Sequence, residues 1–298
     1  IIAIWIISAW QIFGKPKNLN IIELGPGDGS LTKILLKVFK RFPKFNIAKK
    51  IYLYETSNLL RKIQKKNIKS DQVNWIKSFK DINNSPAIFF GNEFFDAIPI
   101  KQFKNIKGLL FEKYYAQDKN NKIKEIYKKA SKQDVRNIKS YKSLKKLKFI
   151  EFPRIGLNEL KKITRKILKT KGCLLLIDYG YLEPTNQNTL QSILRHKKNI
   201  LLSNLGKADI TSHVNFKLLR EFFLKNNLAV KNIVPQQRFL KNMGIIERAE
   251  IIGKKIKFRD KTNMYLRLKR LLSPRQMGEL FKVTLAYKSK VNNFFGFD

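Results

Sequence analysis

The chain has 298 residues, 43% hydrophobic and 12% aromatic, which supplies a full core and rules out a disordered tail. One cysteine, Cys173, and two histidines, His196 and His213, exclude a disulfide framework and argue against any metal centre built on Cys or His. The formal charge is +40, yet Lys and Arg are spread through every segment as on a solvated surface; nucleic acid is therefore not the expected partner, although charge alone leaves it open.

Ile1–Phe13 has the pattern of a helix, stopped by Gly14-Lys15-Pro16. Its opening run Ile1–Ile7 is too short to span a bilayer, so no stable membrane insertion is expected. Because Ile1 already reads as mid-helix, the sequence is expected to be truncated at its N-terminus. Asn20–Leu24 is a short apolar run before glycines, as in a buried parallel strand, and Ser30–Phe42 follows as a helix. Lys50–Tyr54 reads as a second strand, Leu59–Lys66 as a second helix and Pro86–Gly91 as a third strand. This alternation predicts a parallel α/β sheet. From Phe103 to Phe152 it gives way to Lys-rich, β-like pieces, read as an excursion from the sheet. Leu157–Lys169 is again helical, Cys173–Ile177 a very apolar strand, and Phe216–Lys225 a helix after a loop-rich stretch. Leu228–Ile233 reads as a strand, Arg238–Lys255 and Phe258–Leu272 as helices, and Phe281–Tyr287 as a last strand, antiparallel and beside Leu228–Ile233. One domain across residues 1–298 is expected, with insertions near 104–150 and 181–227.

The segment Glu23-Leu24-Gly25-Pro26-Gly27-Asp28-Gly29-Ser30 places a glycine-rich turn between a strand and a helix. Gly25, Gly27 and Gly29 let the backbone turn tightly and approach a ligand. A dinucleotide fold needs Gly-x-Gly-x-x-Gly with pyrophosphate on the helix N-terminus. Here the spacing is Gly-x-Gly-x-Gly, and the acids Glu23 and Asp28 would sit poorly beside a diphosphate. They suit a cofactor with a sulfonium, an ammonium and no phosphate, namely S-adenosylmethionine. Glu55, at the tip of the second strand, is placed to accept hydrogen bonds from both ribose hydroxyls. Trp75 could stack on the adenine or belong to the core.

Further motifs follow: Asn92-Glu93-Phe94-Phe95-Asp96-Ala97, Leu176-Ile177-Asp178-Tyr179-Gly180, Thr189-Leu190, Arg195-His196 and Asp209-Ile210-Thr211-Ser212-His213-Val214. With the glycine turn, and with Gln237, Phe239-Leu240, Gly244-Ile245, Met277-Gly278 and Phe281-Lys282-Val283, this series resembles the MidA-like methyltransferases from about Ile1 to Tyr287. The resemblance implies a class I, Rossmann-like fold of seven strands, the last antiparallel, using S-adenosylmethionine. It also implies a protein acceptor: the family's mitochondrial member is an arginine methyltransferase for complex I assembly. The location implied is cytoplasmic for a bacterial chain and the mitochondrial matrix for a eukaryotic one.

Within that frame Glu93 and Asp96 fall just past a parallel strand, where α/β folds place ligand sites, and two acids there could orient a guanidinium. Asn92 could position cofactor or acceptor. Asp178, also at a strand end, could bind substrate or cap the next turn. Asp209 and His213, four apart, are either a cap with a packed imidazole or an Asp–His pair that accepts the acceptor's proton. His196 has no partner legible in the sequence. The glycine motif also resembles that of rRNA adenine dimethyltransferases. Those enzymes usually carry Asn/Asp-Pro-Pro-Tyr where this chain has Asn92-Glu93-Phe94-Phe95-Asp96, which disfavours that alternative. A non-catalytic scaffold that binds S-adenosylmethionine is the remaining one.

Overall fold

The structure is a computed structural model that describes residues 1–195 and 197–297, so His196 lies outside the described residues. The chain forms two compact units. The first comprises Ile1–Phe94, Lys162–Tyr179 and Asn226–Asp298; the second comprises Phe95–Lys161 and Gly180–Lys225. The second unit draws on both stretches that the sequence sets apart from the alternating α/β pattern.

The first unit is built on β1 (Leu19–Leu24), β2 (Lys49–Tyr54), β3 (Val73–Ile76), β4 (Ala87–Asn92), β5 (Gly172–Tyr181), β6 (Ala229–Val230) and β7 (Phe281–Lys288). They lie side by side in the order β3-β2-β1-β4-β5-β7-β6. The neighbours from β3 to β5 are parallel, and β7 is antiparallel to both β5 and β6. All six residues of β1 are buried, as expected for a parallel strand covered on both faces. Helices α1 (Ile2–Ile12), α2 (Ser30–Phe39), α3 (Pro43–Ala48) and α4 (Asn58–Ile68) flank the early strands. Trp5, Phe39, Phe45, Leu53, Ile88, Leu175 and Leu285 share one apolar core. Each side chain of this size, once buried, stabilises by roughly 1.5–3 kcal/mol. Gly172 opens β5 at φ 135°, and a Cβ there would collide with the Ala87 carbonyl oxygen, so only glycine lets β4 and β5 start in register.

Several boundaries differ from the sequence reading. Val73–Ile76 is a strand that the apolar pattern does not announce. The helix expected to Phe42 stops at Phe39, and Pro43 begins α3 as its first residue. The strand expected over Leu228–Ile233 is only Ala229–Val230. The chain then leaves the ladder and pairs again with β7 at Val234–Pro235. Arg238–Lys255 is two helices, Gln236–Asn242 and Ile245–Gly253, separated at Gly244 with φ 71°. Among the described residues, no helix is long and apolar enough to cross a membrane.

The second unit contains an antiparallel sheet of four strands, ordered Ile123–Lys129, Leu109–Gln117, Lys101–Ile106 and Phe149–Phe152. Buried Asp134, in the helix Lys132–Lys139, makes ion pairs to Lys101, at the start of an inner strand, and to Arg154, at the start of the helix Arg154–Thr170, each at 3.1 Å. A three-stranded sheet (Gln191–Leu194, Lys197–Asn199, Asp209–Thr211) and the helix Phe216–Lys225 complete it.

Candidate active site

The glycine turn sits where β1 ends and α2 begins. Gly25, Gly27 and Gly29 all have left-handed φ, 59°, 56° and 82°. The Gly25 N–H donates to the Tyr54 carbonyl at 3.1 Å, which ties the turn to the end of β2. The Asp28 carboxylate accepts the Ser30 N–H at 2.9 Å, and that bond holds its pKa below the usual carboxylate range. Packing accounts for two of the glycines: a Cβ on Gly25 would press on Phe94, and one on Gly29 would meet Ile68 at 2.8 Å. Gly27 is different. A Cβ there would find nothing within 4 Å, so the turn leaves open space that the protein itself does not fill. This is the cradle a cofactor backed onto the turn requires.

Glu55 follows the last residue of β2 and is buried. Its Oε1 accepts the Ser57 N–H at 2.8 Å and its Oε2 accepts the Gln64 amide at 3.1 Å. A carboxylate offers about four acceptor positions, so two vicinal hydroxyls can still be bound. Gln64, from α4, also donates to the Gly27 carbonyl at 2.8 Å and accepts the Trp75 indole N–H at 2.9 Å. The motifs of the sequence do not single out this glutamine. Its signal is a polar residue on the stripe Leu60, Gln64, Ile68 that α4 turns inward. Trp75 is half-buried, with its indole fixed by that bond.

Glu23, expected in the cofactor site, is buried and accepts the Thr32 hydroxyl, which clamps β1 to α2. Burial pushes its carboxyl up to about 7, against the Thr32 hydrogen bond and with added repulsion from Asp28. At the end of β4, Asn92 and Glu93 are exposed and adjacent, Nδ2 to Oε1 3.4 Å. Glu93 adopts a left-handed φ of 51° while its N–H donates to the Ile177 carbonyl at 2.9 Å. A non-glycine residue in that region is uncommon, and the bond to β5 helps hold it there. Asp178 is buried within β5, its Oδ1 accepting the Tyr179 N–H at 2.9 Å.

The second unit gathers its own polar cluster. Asp96 is buried, and its backbone carbonyl accepts the Ser212 N–H at 3.1 Å. Glu151, which no sequence motif singles out, is buried in the strand Phe149–Phe152. It accepts the Gln102 amide at 2.9 Å, the Thr189 N–H at 3.0 Å and the Thr189 hydroxyl at 2.5 Å. That hydroxyl in turn accepts the His213 backbone N–H at 3.0 Å. A small pocket is lined by Phe95, Glu151, Tyr181, His213 and Asn215. Burial lowers the His213 pKa, which keeps the imidazole neutral, while Glu151 and Asp96 pull the other way. Burial raises the Tyr181 hydroxyl, assisted by Glu151. Asp209 is exposed in the strand Asp209–Thr211, and the carboxylates that face His213 are Glu151 and Asp96.

A sheet whose main path runs through seven strands with the last in sequence antiparallel, a glycine turn open at Gly27 and an acid at the tip of β2 define a class I methyltransferase that uses S-adenosylmethionine. Residues 1–234 match the model of the family described as "Putative S-adenosyl-L-methionine-dependent methyltransferase", and the chain belongs to that family. Named relatives include "Protein arginine methyltransferase NDUFAF7, mitochondrial" of Danio rerio, 26% identical over 95% of this chain and 72% of that protein. The Homo sapiens protein of the same name is 25% identical over 94% of this chain and 69% of its own length. A COG1565 superfamily member from Burkholderia thailandensis, crystallised with S-adenosyl-homocysteine, has the same fold: TM-score 0.78, 20% identity, 100% of this chain and 76% of that one.

Proposed function

We propose that this methyltransferase acts on arginine side chains of a protein. The observation that carries the reading is the similarity over 94–95% of the chain to relatives named protein arginine methyltransferases. The resemblance to MidA-like proteins supports a subunit of respiratory complex I, or its bacterial counterpart, as the proposed acceptor. It supports the mitochondrial matrix in a eukaryote, and the cytoplasm in a bacterium, as the proposed place of action.

When bound, the cofactor supplies a methyl group activated on a sulfonium. Gly27 leaves room where it would back onto the turn, Glu55 would accept its ribose hydroxyls, and Asn92 lies at the end of the neighbouring strand β4. Glu93 presents an exposed carboxylate that pairs with a guanidinium and orients one nitrogen. Asp96, buried in the second unit, is assigned a catalytic role that its burial makes one of positioning rather than direct pairing at the surface. His213, kept neutral by burial, can accept a proton, and the charges of Glu151 and Asp96 favour its protonated form. Asp178 is assigned to substrate binding, although it lies inside β5, three residues before the strand ends at Tyr181, with its Oδ1 accepting the Tyr179 N–H.

The test is methyl transfer from S-adenosylmethionine labelled in its methyl group into a lysate, followed by RNase or protease treatment and amino-acid analysis. Label recovered as methylarginine after RNase supports the proposal. Label lost with RNase makes the RNA acceptor correct instead, and no incorporation with intact cofactor binding leaves a scaffold.

A further inference from the structure

Gln64 is fully buried on the inward stripe of α4, and its amide is anchored on three separate elements. Nε2 donates one hydrogen to the Gly27 carbonyl at 2.8 Å and the other to Glu55 Oε2 at 3.1 Å. Oε1 accepts the Trp75 indole N–H at 2.9 Å. These partners fix which way the amide faces. Turned over, it would set an oxygen against a carbonyl and a carboxylate, which only accept, and its NH2 against an indole that only donates. With the Ser57 N–H on Oε1 and Gln64 on Oε2, each oxygen of Glu55 carries one protein donor, and the carboxylate plane is locked.

We propose that Gln64 is a positioning residue that sets the enzyme's specificity for the ribose of its cofactor, by holding Glu55 and the glycine turn in one fixed geometry. The inference rests on the reading of Glu55 as the acceptor of the ribose hydroxyls. Two vicinal hydroxyls are bound together only by a carboxylate that cannot rotate, and a ligand backed onto Gly27 needs that turn at a constant distance from Glu55. One amide does both. The link to Trp75 adds a third constraint, since the indole ring, with Lys65 Nζ 5.5 Å from its centroid, turns only if its bond to Gln64 breaks.

The experiment measures binding of S-adenosylhomocysteine and of its 2′-deoxyribose analogue by calorimetry, for the wild type, Gln64→Leu and Gln64→Glu. The wild type is expected to prefer the hydroxylated ligand by roughly 10-fold or more, the worth of one good hydrogen bond to a charged group. Gln64→Leu should bind S-adenosylhomocysteine about 10-fold more weakly and lose most of that preference, because a freed Glu55 no longer presents both oxygens. Gln64→Glu preserves shape and has its own signature. Its new carboxylate faces Glu55 from α4; Asp28 follows Gly27 on the turn, with Glu23 within electrostatic reach of it, and Lys65 Nζ lies over the Trp75 ring. Two carboxylates so close do not ionise together readily, so its affinity relative to the wild type should fall as pH rises from about 6 to 9. A wild type that discriminates while Gln64→Leu discriminates equally, and a Gln64→Glu variant that tracks the wild type at every pH, would reduce Gln64 to packing. A wild type indifferent to the 2′-hydroxyl would instead remove Glu55 from the ribose site, and the proposal with it.

Discussion

Replacing Glu23 by Gln tests a strongly perturbed carboxyl beside the glycine turn. Glu23 is almost wholly enclosed at the end of β1, where burial raises its pKa from 4.5 to about 7 despite the Thr32 hydroxyl on Oε2. The folded state therefore holds this proton more tightly than the unfolded chain does. The contribution of this group to stability is largest below pH 4.5, falls as pH rises from 4.5 towards 7, and levels off above that. At about 1.36 kcal/mol per pH unit, this one group withdraws roughly 3 kcal/mol across the window. Gln keeps the shape and the acceptor for Thr32 but cannot ionise. The assay is urea unfolding of both proteins, without added cofactor, at closely spaced pH values from about 4 to 8. The difference between the two cancels every other titrating group. The Glu23→Gln variant should gain roughly 3 kcal/mol on the wild type between the ends of the range, with m-values unchanged. Parallel curves would refute the account and mean that Glu23 is solvated or neutralised by an unrecognised cation.

Four further outcomes are expected. Gly27→Val should fold at a cost of about 1–2 kcal/mol for its left-handed backbone yet lose binding of S-adenosylhomocysteine in calorimetry; unchanged binding would remove the turn from the site. Glu93→Gln and Asp96→Asn should retain cofactor affinity while methyl transfer drops by roughly 10–100-fold, and the reverse pattern would move them to the cofactor. Gly172→Ala should destabilise by about 3 kcal/mol or more in urea titration, because its Cβ has nowhere to go but into the Ala87 carbonyl. If His213 accepts the proton, the acidic limb of the rate profile lies below its ordinary 6.5, and His213→Gln abolishes that limb; a limb above 6.5 assigns the proton elsewhere.

The parts of the fold legible in the sequence are those with strong period or punctuation. β1 announces itself as a solid apolar run into glycines, and β5 likewise. The antiparallel last strand is legible from its own apolar run and the long helical stretch before it. β3 escapes because Val73-Asn74-Trp75-Ile76 is four residues long and sits after a polar, Lys-rich helix with no turn signature to isolate it. The residues at the glycine turn and at the tip of β2 can be named because their chemistry is local to a short motif. Gln64 and Glu151 cannot be paired with their partners in advance. Each is a lone polar residue in an apolar setting, and what it meets comes from 9 to 49 positions away along the chain. At Asp209 and His213 the spacing alone carries no geometry: 209–211 is extended and paired with Gln191–Ile193, and the acids whose charge acts on the imidazole are Glu151 and Asp96.

The position of β7 also governs the order in which this molecule can be assembled. It lies between β5 and β6 and pairs with β5 along eight residues, from Phe281↔Tyr179 to Lys288↔Gly172. During synthesis β5 is therefore complete long before its partner exists. An apolar edge running through Leu174, Leu175 and Leu176 stays unsatisfied until their partners Ala286, Leu285 and Thr284 have left the ribosome. Such an edge is a template for the wrong chain, and closing it late makes the sheet slow to finish and dependent on protection while it waits. A nascent chain halted before Phe281 should be captured by chaperones or aggregate, whereas one that extends past Lys288 closes the edge and is released from both fates.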